Sequence, residues 1–431
     1  MKHMKTNKIL LLVLIVRLVW LGFNTTIEYS PDSVSYFYGY SLFNGHPHPF
    51  RMVVYPELIN LIMLMGLKEY HLLLGLVVFQ HIVSFFVLIY LLKSLRLFIK
   101  NERAKLLSFI LISCNPLILS YNNNINTESL SISLVILLIY LFTKMNKDYN
   151  TDKIEIYKTY GLILLMVLIR PIFLYLVILP LVVFFRSENR NLTTLKKHLI
   201  SLTTIVILLN IFIYLNMKKN HYNGLSTVSI INKISNIAIS RSYESNKDSI
   251  LVKKFDIYRV DGFYNVVSAV FPYNAKIFQE RKQNVPKYLL ENTPDYVMKK
   301  TDIEVNRLEK FVNSSFYSFS HFKYVLKKMN SMLETYRIIV LSVFLEMLII
   351  IYSLLARKIV RLDSTILVGF VMGLFLMIAV FGIDDWTRLL SPAIPIITLI
   401  VLKQIDTLLL IFDANIIYSI RYKIKKYLHE T

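Results

Sequence analysis

An all-α polytopic membrane protein with about ten transmembrane helices is the fold class that this sequence predicts. Three observations predict it. Of the 431 residues, 55% are apolar, and only 18% are charged. Glycine is scarce at 11 residues, while aromatics reach 13%. Several apolar runs approach the roughly 20 residues that a helix needs to cross a hydrocarbon core. A soluble core of this size would show shorter apolar runs and more charge.

The formal net charge of +21 would suggest a nucleic-acid partner in a soluble chain. Here Lys and Arg gather in short segments between apolar runs, as they do in cytoplasmic loops. There is no nucleic-acid-binding motif, so the expected partner is the lipid bilayer and no nucleic acid. The single cysteine, Cys114, lies inside an apolar run. It allows neither an intrachain disulfide nor a Cys-based zinc site.

The elements follow from the apolar runs, oriented by Lys and Arg. The first helix covers about 9–26 and leads outward; no small-residue cleavage site follows it, so it reads as uncleaved. The second, about 71–92, ends in the basic loop KSLRLFIKNERAK. Helices at about 106–120 and 128–143 flank the polar turn YNNNINT on the outer side. Residues 161–185 contain Arg170-Pro171 in mid-run. Proline breaks the helical hydrogen-bond ladder and arginine is costly at mid-bilayer, so two short helices are expected to meet at an outer break there. A helix at about 199–216 leads into the long polar segment 217–335, expected to be mostly helical and extracytoplasmic. Helices at about 337–356, 364–382 and 389–411 and a basic cytoplasmic tail complete the chain. The organisation is thus 1–216, a transmembrane core with its first outer loop at 24–56, then 217–335 outside, then 336–431. Arg17 and Glu346 are the charges expected within the bilayer, and they could pair with each other.

The first outer loop holds PDSVSYFYGYSLFNGHPHPF. Ser30 and Pro31 suit an N-cap and first helical position, and Gly45 suits a helix stop. Asp32, Ser35, Tyr36 and Gly39 then share one face, with Val34, Phe37, Tyr38 and Leu42 opposite. This describes a short amphipathic helix on the outer membrane surface. An acid in a first turn also complements the helix dipole, which is the plainer role for Asp32.

An acid opening this helix as D-x-x-x-Y, then R-x-x-x-Y-P at Arg51, resembles the first outer loop of the GT-C superfamily of membrane glycosyltransferases. The segments CNPLILSYNNNINTESLSISLVIL, LIRPIFLYL and WTRLLSPAIPIITLI resemble that family's later motifs, in the same order. Within that superfamily the chain resembles the relatives of protein mannosyltransferases and of the lipid A aminoarabinose transferase. The resemblance covers roughly 9–185 and 336–411 and leaves out the long loop. Many members carry two adjacent acids in the first loop; here Ser33 stands in the second place, which leaves metal dependence open.

The resemblance implies an inverting transfer of a hexose or pentose from a polyprenyl-phosphate-linked sugar donor to a lipid or polysaccharide acceptor, on the outer face of the plasma membrane. Asp32 is then the general base, with Glu28 in reserve. Arg51, Arg170 and Arg388 are candidates for binding the donor phosphate, since a guanidinium matches phosphate with a rigid donor fork. Each also sits where an arginine snorkels to head groups. Glu128, opening the fourth helix, could orient the acceptor or a cation, or serve the helix dipole. Tyr36 could stack on a sugar. A divalent metal is possible at His46 and His48 or at Asp384 and Asp385, against plain polar turns and a salt bridge to Arg388. Two other classes compete. An O-antigen-type polymerase or ligase would rely on Arg241, Arg259 and Arg281 of the long loop. A transporter of lipid-linked sugars would show repeated halves and mid-bilayer charges.

Overall fold

The computed structural model describes residues 3–29, 31–37, 42, 47–48, 51–147, 153–186, 191–220, 223–226, 228–260, 305–355, 362–382 and 386–407. Among these residues the secondary structure is helical, with no strand. In chain order the helices are α1 (His3–Phe23), α2 (Pro31–Tyr36), α3 (Val54–Leu64), α4 (Glu69–Phe98), α5 (Glu102–Ser113), α6 (Pro116–Asn123), α7 (Glu128–Lys147) and α8 (Lys153–Ile169). Then come α9 (Leu179–Arg186), α10 (Leu192–Asn220), α11 (Val228–Ser240), α12 (Ser249–Val260), α13 (Val305–Phe316), α14 (Phe319–Thr335), α15 (Arg337–Leu355), α16 (Leu362–Phe381) and α17 (Trp386–Leu390).

Among the described residues five helices are long and apolar enough to cross a membrane: Glu69–Phe98, Glu102–Asn123, Glu128–Met145, Leu192–Lys219 and Arg388–Thr407. Shorter apolar helices cover Val54–Leu64, Pro171–Phe185 and Ile366–Phe381. Local chemistry sets their ends. Asn101 caps α5 through bonds from Arg103 N and Ala104 N at 2.9 and 3.3 Å. Asn115 caps α6 in the same way, with Pro116 in the first turn, where no N–H is needed.

The main core joins α4, α7 and α8 through residues such as Leu88, Leu91, Val135, Phe142 and Ile163. It extends to α16 and the last span through Leu374, Ile378, Ile396 and Ile400. Lipid is as apolar as these side chains, so close packing and buried polar contacts, more than water exclusion, favour this arrangement inside a bilayer. Tyr175 is one such contact: its hydroxyl donates to Phe370 O at 2.9 Å. Its ring lies where a β-carbon on Gly373 would come within 2.5 Å, so this position of α16 requires glycine.

The expected pairing of Arg17 with Glu346 is corrected. Arg17 is buried and donates to Ser113 O at 3.0 Å and Ser84 Oγ at 3.1 Å, tying α1 to α4 and α5. Glu346 instead meets Lys403 at 2.6 Å. The reason is position: a long lysine on the last span reaches α15, and one serine hydroxyl and one backbone carbonyl accept from Arg17 without a second charge.

The expected break at Arg170-Pro171 is found. Arg170 is extended (φ −146°, ψ 118°) and a 3₁₀ stretch, Pro171–Ile178, follows before α9. In the first loop, α2 covers only Pro31–Tyr36, with a turn at Phe37. Ser30, Tyr38, Gly39, Gly45 and His46 lie outside the described residues. The helix does not rest open on a surface: Ser33, Ser35, Tyr36 and Phe37 are all buried. The described parts of the long polar segment are helical, as expected. Ile234, Ile237, Tyr243, Phe255, Phe311 and Phe316 there form a separate small core.

Candidate functional site

The Asn-rich turn between α6 and α7 organises one end of the bundle. The first loop docks on it by a parallel bridge between Glu28 and Asn124. Glu28 N donates to Asn123 O at 3.0 Å, and Ile125 N donates to Glu28 O at 2.9 Å. Ser33 Oγ of α2 then donates to Ile125 O at 2.7 Å. Glu28 thus serves through its backbone, and its side chain is exposed. From the other side, Gln80 of α4 donates to Asn122 O and Asn124 O, both at 3.0 Å, and accepts from the Tyr55 hydroxyl at 3.1 Å. His81 meets Asn123 Oδ1 at 2.7 Å, and Asn123 Nδ2 donates to Asn24 O at 2.7 Å.

Glu128 follows this turn as the first residue of α7 and is almost wholly buried, at 2%. Its Oε1 lies 3.4 Å from Arg170 Nη1 and 3.5 Å from Arg388 Nε. One carboxylate therefore joins the broken segment at Arg170 to the start of the last span. Oε2 of Glu128 is buried and has no hydrogen-bond partner among the described residues. Nδ2 of Asn122 and Oγ of Ser391 are in the same condition. A buried carboxylate is costly unless paired, and two guanidiniums supply that pairing.

Arg51 and Tyr36 form a second group. Arg51 Nε donates to Ser35 Oγ at 2.6 Å, and its guanidinium lies 4.7 Å over the Tyr36 ring. Tyr36 packs edge-on against Tyr55 at 4.8 Å. A hydrophobic cluster of Tyr36, Phe37, Tyr55, Ile125, Leu130 and Ile169 connects this group to the residues flanking Glu128 and Arg170.

His48 straps the loop. Its Nδ1 accepts from Arg51 N at 3.0 Å, so its Nε2 carries the proton and donates to Ser35 O at 2.6 Å. Burial pushes its pKa down to about 3. With both ring nitrogens committed to backbone, His48 is not free to bind the metal considered for it with His46. Among the described residues no three His, Cys, Asp or Glu side chains stand together as a metal site would need.

The structure thus brings Glu128, Arg170 and Arg388 together, and Tyr36 together with Arg51. Asp32 belongs to α2, one residue before Ser33, which is fixed to Ile125; the Asp32 side chain, like Asp384 and Asp385, lies outside the described residues. Arg241 is far more open: it pairs at 3.2 Å with Glu244, both about half exposed. Arg281 and the Arg259 side chain lie outside the described residues. Gln80 and Asn122 are site-building residues that sequence reasoning missed, while Ser33 and His48, which it considered in other roles, bind backbone groups of the loop and the turn. Gln80-His81, a polar pair inside an otherwise apolar helix, was the available signal. Compared with protein-family models, with curated proteins and with solved structures, the chain has no match in any of the three.

Proposed function

We propose that the chain is an inverting glycosyltransferase that moves a hexose or pentose from a polyprenyl-phosphate donor to a cell-envelope lipid or polysaccharide acceptor. In this reading it crosses the plasma membrane ten times with both termini inside, and the site around Glu128 faces out. The observation that carries the reading is the shared carboxylate: Glu128 holds Arg170 and Arg388 at one point, beside the turn on which the Asp32 helix is docked.

An acceptor hydroxyl oxygen forms a bond to the anomeric carbon as the bond from that carbon to the phosphate oxygen breaks, from the opposite face. Asp32 takes the hydroxyl proton, and the polyprenyl phosphate leaves with the electron pair. Arg170 and Arg388 meet the charge that grows on the leaving phosphate. Glu128 keeps the two guanidiniums in register before the donor arrives, so little reorganisation is needed. Its second oxygen is an acceptor for a sugar or acceptor hydroxyl. Arg51, held over Tyr36, adds a further cation at the loop side. Of the three arginines named for the polymerase reading, Arg241 is about half exposed and paired with its neighbour Glu244.

The test is transfer by purified protein from a panel of polyprenyl-phosphate sugars, with and without chelator. Asp32→Asn is expected to cut transfer about a hundredfold or more, the usual contribution of a general base. Arg388→Ala should do likewise. Full activity in both variants overturns the reading, and the chelator arm decides the metal.

A further inference from the structure

Helix α14 has three sides. Its inner side, with Val325 and Met332, is buried in the main core, while His321 and Lys328 are buried against α11 and the end of α16. A second side is polar and exposed, with Lys323, Lys327, Asn330 and Glu334. The third side is apolar and yet exposed: Phe319 (71%), Phe322 (55%), Leu326 (48%) and Leu333 (39%) recur at helical spacing along its length. A stripe of this kind, facing water over a helix of 17 residues, would be an unusual liability.

We propose that this stripe of α14 is seated in the acyl-chain border of the bilayer, so that the long polar segment is fastened to the membrane surface along α14. Three observations fix lipid as the occupant. The adjoining side of the same helix belongs to the core of the membrane helices. Beyond Tyr336 the chain runs on into α15, whose Leu341, Phe344 and Leu348 present the same kind of exposed apolar surface. The stripe is bordered by Lys323 and Lys327, and Lys323 Nζ lies 5.0 Å over the Phe319 ring, which suits a helix whose apolar edge enters the lipid and whose cations meet head-group phosphates. On its buried side α14 is tied to its neighbours: Lys328 Nζ donates to Asn236 Oδ1 at 3.3 Å and also to Gly382 O. Gly382 ends α16, just ahead of the span that carries Arg388.

The test places single cysteines in a Cys114→Ser background at Phe322, Leu326 and Leu333, with Lys327 and Asn330 as controls. Each labelled full-length protein is reconstituted in phosphatidylcholine–phosphatidylglycerol vesicles. Fluorescence from the three stripe positions should be lost to lipid-borne nitroxide quenchers and spared by aqueous iodide, with the reverse at the controls. Iodide quenching of the stripe as strong as at Asn330 overturns the proposal. So does protection from both quenchers, which would mean another segment of this chain covers it, and so does cysteine cross-linking between two copies. Agreement at three separate positions guards against one variant that fails to fold.

Discussion

The two ends of the last span, Arg388–Thr407, treat their charges differently. At the far end Asp406 accepts from Lys100 N and Asn101 N, both at 3.0 Å, so each oxygen is spent on the backbone. Lys403, nearby, meets buried Glu346 at 2.6 Å. About 27 Å of helix away, Arg388 shares Glu128 with Arg170 at 3.5 and 3.4 Å, and one carboxylate oxygen is left without a hydrogen-bond partner among the described residues. Short, saturated contacts hold elements together. Long, shared and incompletely saturated ones keep cations assembled while leaving them able to bind something else.

The strongest way to break this comparison is Glu346→Ala. Removing one partner of a buried pair should cost about 3–5 kcal/mol, read as a lower melting temperature in detergent, while transfer per folded molecule stays unchanged. A loss of transfer without a loss of stability would erase the distinction between the two ends. Glu128→Gln is the counterpart. It keeps the shape but removes the charge between the guanidiniums, and transfer should fall about a hundredfold, the scale of losing one preorganised electrostatic group. Equal or greater damage to stability than Glu346→Ala would make Glu128 a strut like Glu346.

The loop strap sharpens the same contrast through pH. His48 is neutral when folded, with its pKa pushed down to about 3 by burial from an ordinary 6.5. Between those values the unfolded chain binds the proton and the folded chain does not. The part of the stability that His48 contributes should therefore be flat above pH 6.5 and fall by about 1.4 kcal/mol per pH unit below it. A His48→Gln variant should have a shallower slope between pH 5 and 6.5 in the same melting series, where most carboxylates are still ionised. Identical slopes would show that the strap yields before the fold does.

Much of this architecture was legible because a bilayer imposes long apolar runs and because proline cannot be hidden in a helix. The break at Arg170-Pro171 and the Asn-rich turn before Glu128 stood out for those reasons. The convergence of Glu128, Arg170 and Arg388 was legible only as motifs expected on one side, since no local rule states which arginine reaches which acid. The strap at His48 was not legible at all: its partners are the backbone groups of Ser35 and Arg51, which every residue carries. Glu346 was misassigned because Lys403 sits inside an apolar run and gave no sign of its reach. In α14 the buried Lys328 and the exposed Phe322 invert the usual reading of both residue types, and only packing reveals that.

The bridge between Glu28 and Asn124 has a consequence in time. Synthesis runs from the N-terminus, and the first loop emerges long before the turn that receives it. It has no partner there until α4 to α6 and the turn itself have been made, and closing so long a loop carries an entropic cost that the completed turn repays. Even then Glu128 has just one of its two guanidiniums to come from the following segment; Arg388 arrives with the final span. The order of birth therefore keeps the site incomplete until Arg388 has emerged, and a chain shortened before that residue would hold the early helices but not the paired guanidiniums of the proposed chemistry.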